Sequence, residues 1–170
     1  MTEIKQTPIW ASVREMAEVL AGENFPIGER AALKRMGIDG AAPLAFHRFV
    51  IKYIEDAYQN GPWRADWRTL ICAMARQRNG GFNPAISLGQ ALAEAGYAES
   101  RMERLLSANG DTLRALILRA ARQLTAKDVA IDWSQLAELL FCRDPESREK
   151  INTRIARDFY RSTPFKNREA

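Results

Sequence analysis

Apolar residues in this chain recur every three to four positions, and runs of strict apolar–polar alternation are absent. A chain patterned near the helical period of about 3.6 buries one stripe of each helix and has no two-faced strands to offer a sheet. Trp10, Val13, Met16, Ala17 and Leu20 make one such stripe, predicting a helix over 10–21 with Gly22 as its stop. A second short helix is expected over 28–36, closed by Gly37. Pro43 suits a first helical turn. From it Leu44, Phe46, Phe49, Val50, Tyr53, Ile54 and Ala57 build an apolar face that ends at Asn60-Gly61. Another helix covers 64–77, and the Gly, Asn and Pro residues of 78–84 read as a loop.

Ser87 is placed to cap a helix that stops at Gly96, and Ser100 to cap one ending near Asn109-Gly110. Asp111 is expected to cap a long helix reaching Ala126. Asp132, with Gln135 three residues on, has capping-box spacing. Asp144-Pro145 starts a final helix that runs to about Tyr160, leaving 162–170 as a frayed tail. The expected fold is all-α, a compact bundle of about eight or nine helices in one domain over 1–170. The 78–84 loop or Asn109-Gly110 is the expected seam if the bundle divides into two small helical subdomains. A hydrophobic content of 46% over 170 residues supports a sizeable core. No apolar run approaches a membrane span, and Met1–Ile9 lacks the apolar core of a signal peptide. A soluble, cytoplasmic protein is expected.

Net charge is +4, and lysine supplies only Lys5, Lys34, Lys52, Lys127, Lys150 and Lys166 of the 25 basic residues. All the others are arginine, whose planar fork of donors matches phosphate oxygens. Composition alone fits equally a GC-rich genome that encodes arginine where others encode lysine. The faces are more informative. In the 111–126 helix Leu113, Leu116, Ile117, Ala120 and Leu124 fall on one side. Arg114, Arg119 and Arg122 fall on the other, with Leu118 intruding and no acid beyond Asp111 to neutralise them. In the last helix Lys150, Arg154, Arg157 and Arg161 follow i, i+4, i+7, i+11 spacing beside an apolar stripe of Ile151, Ile155 and Phe159. A row of like charges costs a few tenths of a kcal/mol per pair, a cost that a polyanion lying against it removes. The alternative is a solvated face, with Glu146 and Asp158 nearby.

Catalytic constellations are missing. There is no phosphate-binding glycine loop, no His-carboxylate metal cluster and no nucleophile in a motif, and Glu103 and Asp66 have no evident partner. No enzyme activity, cofactor or metal is expected. His47, the only histidine, lies in an apolar stretch that favours packing. Cys72 and Cys142 read as isolated buried thiols. Trp10, Trp133, Phe141 and Phe159 fit apolar helix faces, whereas Trp63 and Trp67 either pack the loop or contact a partner. Residues 86–106 pair two helical patterns about Gly96, the second opening with Arg101 and Arg104. Taken alone they fit a helix-turn-helix, although the turn is long and Glu99 and Glu103 would face phosphates.

The ordered set of these elements resembles the CasB family, the small helical subunit of the type I-E CRISPR surveillance complex called Cascade. The likeness is carried by Gly28-Glu-Arg-Ala-Ala-Leu-Lys-Arg35, Ile86-Ser-Leu-Gly-Gln-Ala-Leu-Ala93, Arg101-Met-Glu-Arg-Leu-Leu106, the leucine-rich 113–124 segment, Asp132-Trp133 with Leu136, and Asp158-Phe159-Tyr160. It spans residues 10 to 161. The resemblance implies a non-catalytic scaffold that touches guide RNA and target DNA, other Cascade subunits and a second copy of itself. Carried over by position, its nucleic-acid contacts are Lys34, Arg35, Arg101, Arg122 and the basic group from Arg143 through Arg148 to Lys150, with Arg68 in a less certain register. The helical faces add Arg119, Arg154 and Arg157. The competing expectations are a helix-turn-helix DNA-binding regulator and a helical protein-interaction adaptor.

Overall fold

The computed structural model describes residues 12–77 and 81–163. Trp10, residues 78–80 of the expected seam loop, and the tail from 164 lie outside the described residues. Within them the chain forms nine α-helices. They are α1 Val13–Ala21, α2 Ile27–Arg35, α3 Leu44–Tyr53, α4 Pro62–Ala75, α5 Leu88–Glu94, α6 Glu99–Ser107, α7 Gly110–Ala126, α8 Trp133–Phe141 and α9 Pro145–Ser162. The architecture is all-α. Among the described residues the β-pairing is one isolated parallel bridge between Phe82 and Ile131, in the two linkers that flank α5 and α8.

α4 is the central helix. Every residue from Asp66 to Ala75 is buried, which a helix achieves only with neighbours on all sides. α1, α2, α7 and α8 supply them. α1 contributes the stripe Val13, Met16, Ala17 and Leu20, and α8 contributes Trp133, Leu136, Leu139, Leu140 and Phe141. Trp67 stacks against Phe141 with ring centroids 4.5 Å apart, so it packs the core. Trp63 lies half-buried between Tyr58 and Phe141. Trp133 donates its indole N–H to Gln77 Oε1 at 2.8 Å, and Gln77 Nε2 donates to the Ala17 carbonyl at 3.2 Å. That chain of bonds ties α1, α4 and α8 through groups otherwise stranded in the core.

α5 and α9 make the most extensive helix pairing. Gly89 permits it, because a Cβ there would sit 2.2 Å from the Ile155 carbonyl oxygen. Ser87 caps α5 by accepting from the Gln90 N–H, as its position predicts. Gly96 closes α5 in the left-handed region at φ 72°, and the Tyr97 N–H returns to the Leu92 carbonyl.

Several local expectations are corrected. Ala98, not Ser100, occupies the N-cap of α6, and Asn109 precedes α7 while Asp111 bonds Arg114 from within the first turn. Asp132 caps α8, but no capping box forms. The Asp132 N–H is already taken by the Ile86 carbonyl at 2.8 Å, so Gln135 turns to the Leu88 N–H instead. α3 ends at Tyr53 because Ile54 is extended, leaving Ala57 exposed in a short 3₁₀ turn over Asp56–Tyr58. Leu44, expected on the buried face, is 74% exposed. Leu118, assigned to the polar side of α7, is buried because α7 is covered by α4, α5 and α6 together. Cys72 is buried as expected, but Cys142 sits half-buried just past the end of α8. The His47 ring packs edge-on to Phe46 at 5.8 Å, with Arg64 3.4 Å from Nδ1.

Candidate nucleic-acid interface

The sequence-predicted basic residues separate into exposed donors and structural anchors. Arg119 and Arg122, one turn apart on α7, are exposed and make no hydrogen bond or ion pair among the described residues. Arg157 on α9 has the same character. Arg101 of α6 donates to Gln123 Oε1 at 3.2 Å, and Gln123 in turn donates to the Ala95 carbonyl at 2.9 Å. Burial pushes the Tyr97 hydroxyl pKa up, while Arg101 and Arg119 pull it back down.

A second group lies along α9. Lys150, Arg154 and Arg157 line a shallow groove of about 430 Å³ with Glu146, Glu149 and Thr153. Lys150 approaches Glu146 at 3.9 Å and Arg154 pairs with Glu138 of α8. The Lys150–Glu146 pair is exposed and holds its cation loosely, whereas Glu138 is half-buried and holds Arg154 against α8. α9 runs antiparallel to α6. Arg148 and Asn152 reach the Leu106 carbonyl at one end, and the Tyr160 hydroxyl bonds Glu99 at the other.

Arg148 is half-buried. It donates to the carbonyls of Leu106 and Ala108 at 3.1 and 2.9 Å, closing the C-terminus of α6, and burial lowers its pKa. Lys34 and Arg35 are exposed in the last turn of α2, where cations suit the helix dipole. Lys34 lines a separate cleft of about 660 Å³ with Arg30, Arg76, Gln77, Thr125 and Asp128.

Arg68 departs most from expectation. It is 9% exposed. Its guanidinium donates to the carbonyls of Met36, Gly37, Asp39 and Gly40 at 2.7–3.0 Å. Those bonds use four of its five N–H donors to hold the turn after α2, and the side chain is buried, so Arg68 is committed to the fold. That geometry favours a structural anchor over a phosphate contact at Arg68.

Asp66 was missed. It is 1% exposed on α4. Its Oδ1 accepts from Arg114 Nε at 2.9 Å, and its Oδ2 accepts from Arg143 Nη2. Arg114 is thus opposed by an acid from another helix as well as by Asp111 on its own. The signal was present, since an aspartate beside Trp67 and one turn before Leu70 occupies a core-facing position. Burying a carboxylate there requires charged partners. Among the described residues no three His, Cys, Asp or Glu side chains gather as a metal site.

A family model described as CRISPR-associated protein Cse2 matches residues 29–160. The chain belongs to the Cse2 family. This is the family that the resemblance names CasB. The Cse2 match takes in α3 through α8 entire, most of α2 and α9, and every candidate contact from Lys34 to Arg157. A chain in the crystal structure of E. coli Cascade bound to a PAM-containing double-stranded DNA target is similar in fold, with a TM-score of 0.62. The two are 22% identical, and the alignment covers 88% of this Cse2 chain and 94% of that one. No match was found among curated protein sequences.

Proposed function

We propose that this protein is a non-catalytic small subunit of a type I-E Cascade complex, acting in the cytoplasm without a cofactor. It binds the nucleic-acid backbone and so steadies the guide RNA–target DNA assembly and the displaced strand. Its partners are guide RNA, target DNA, other Cascade subunits and a second copy of itself. The observation that carries this reading, within a Cse2 chain, is that Arg119, Arg122 and Arg157 are exposed and have no hydrogen-bond or ion-pair partner among the described residues. Arg101 and Lys150 flank them with loosely held charges, and Arg154 with one paired to Glu138. Guide pairing supplies sequence specificity in such complexes, leaving the protein to read backbone geometry. Lys34, Arg35 and Arg143 complete the proposed contacts. Arg148 takes part through the α6 terminus it secures.

The helix-turn-helix alternative fits poorly. A recognition helix presents its N-terminal residues to base edges, yet Glu99 at the start of α6 is held by Tyr160 of α9. α5, which would be the supporting helix, is locked against α9 at Gly89.

The test is target-DNA retention by the assembled complex carrying Arg122→Glu and Arg157→Glu. Folding should be unchanged, retention should fall, and the slope of log K against log salt should become shallower by about 2. Unchanged retention and slope would support the adaptor reading. A sequence-specific duplex shift by the isolated protein would support the regulator. Cleavage of labelled RNA or DNA with divalent metal would overturn the non-catalytic assignment.

A further inference from the structure

The buried carboxylate of Asp66 is oddly placed for a residue that serves stability alone. It joins three segments distant in sequence: α4, α7 through Arg114, and the α8–α9 linker through Arg143. Arg114 is 14% exposed and also donates to Asp111 Oδ1 at 2.6 Å, so it is committed to the fold. Arg143 is different. Its side chain is 46% exposed, yet it is gripped from three directions. One Nη bonds Asp66, the other donates to the Leu140 carbonyl at 3.0 Å, and the guanidinium lies over the Trp63 ring at 5.1 Å. A guanidinium has five N–H donors, and these bonds leave others for a ligand. An exposed arginine normally samples many rotamers and loses that freedom on binding. Here the freedom is already lost in the folded protein.

We propose that Asp66 is a positioning residue for nucleic-acid binding, holding Arg143 in the orientation that meets a backbone phosphate. This rests on the backbone-binding function proposed above. Asp66 and Asp111 together balance Arg114 and Arg143, so what the site presents is the exposed, fixed guanidinium of Arg143 with its unused N–H donors. The proposal makes a prediction of opposite sign to simple electrostatics. Asp66→Asn removes a negative charge from beneath the interface, which by attraction alone would tighten binding to a polyanion. If Asp66 acts by orienting Arg143, the same substitution weakens it.

The experiment measures target-DNA retention across a salt series by complexes assembled with wild type, Asp66→Asn, Arg143→Ala and the double variant. Arg122→Glu/Arg157→Glu serves as a reference. Arg143→Ala should weaken retention at least about threefold and make the salt slope shallower by about 1. Asp66→Asn should weaken it at least about twofold, with no further loss when added to Arg143→Ala, because residues acting as a unit are not additive. Tighter binding by Asp66→Asn, or an equal loss in the Arg143→Ala background, overturns the proposal. If the reference variant loses retention while Arg143→Ala does not, only this inference fails. If all variants, the reference included, retain DNA like wild type, the backbone-binding reading itself has failed.

A second measurement does not depend on a variant folding. In the wild-type full-length chain, ¹⁵N NMR should show restricted rotation of the Arg143 guanidinium, with separately resolved Nη signals. A freely rotating, averaged Arg143 signal would overturn the proposal.

Discussion

Replacing Gly89 with alanine should separate α5 from α9 and destabilise the protein measurably. The new Cβ would lie 2.2 Å from the Ile155 carbonyl oxygen, 2.7 Å from the Phe159 nitrogen and 2.9 Å from the Asp158 Cβ. Two of these are backbone atoms of α9, which cannot rotate aside. Relief therefore needs the helices to move apart by roughly 1 Å, a gap that forfeits about a quarter to a half of the dispersion attraction across it. Leu88 and Leu92 of α5 and Ile155 and Phe159 of α9 are all buried. Full burial of each such side chain is worth about 1.5–3 kcal/mol, so a partial loss over several of them sums to about 3–4 kcal/mol. Alanine's helix propensity returns about 1 kcal/mol, leaving a net loss of about 2–3 kcal/mol. Thermal unfolding followed by circular dichroism should show Tm lower by about 5–10 °C, with a matching fall in the urea midpoint. Gly28→Ala is the control. Gly28 lies within α2 with nothing within 4 Å of its would-be Cβ, so alanine there should stabilise by about 0.5–1 kcal/mol. If Gly89→Ala melts at or above wild type, the close-approach reasoning is wrong.

Arg68→Ala should lower stability by about 2–3 kcal/mol in urea titration, because the carbonyls at 36, 37, 39 and 40 lose a charged donor. DNA retention at temperatures far below its Tm should stay at the wild-type level, the opposite of what a phosphate contact would show. Asp144 caps α9, and its pKa is held below the ordinary carboxylate value first by the Ser147 hydroxyl and then by the Ser147 N–H. A depressed folded pKa contributes stability above the ordinary value, near 4, that is lost as pH falls through the depressed one. Asp144→Ala should therefore melt below wild type at pH 6, with the gap narrowing as the solution is acidified below about pH 4. A gap that stays constant with pH would refute the charge-dependent cap.

Helix positions were legible because each apolar stripe needs only local spacing, and the α1, α7 and α9 stripes persist over several turns. Caps were less legible. Ser100 and Asp111 carry good capping side chains, yet the N-caps are Ala98 and Asn109, each two residues earlier, so residue type alone does not fix where the backbone enters either helix. Gln135 illustrates the same limit, since its intended partner was claimed by Ile86 from a distant linker. Among the site residues, the spacing on α7 and α9 correctly separated polar from apolar faces for Arg119, Arg122 and Arg157. What spacing cannot show is a partner from another helix. Arg68 and Arg114 look alike in sequence to the exposed arginines, but one is spent on a turn and the other on Asp66.

The bonds that tie α1 to α8 bear on how the chain folds during synthesis. Arg14 reaches Asp132 at 2.9 Å, across 118 residues, and the Ala17–Gln77–Trp133 relay spans the same gap. α8 is the chief cover for the apolar stripe of α1. A ribosome-bound chain whose exposed portion stops short of Asp132 thus carries Val13, Met16, Ala17 and Leu20 without their main cover. α1 must wait for α8, so its face of the core closes only once the chain has been made through Phe141.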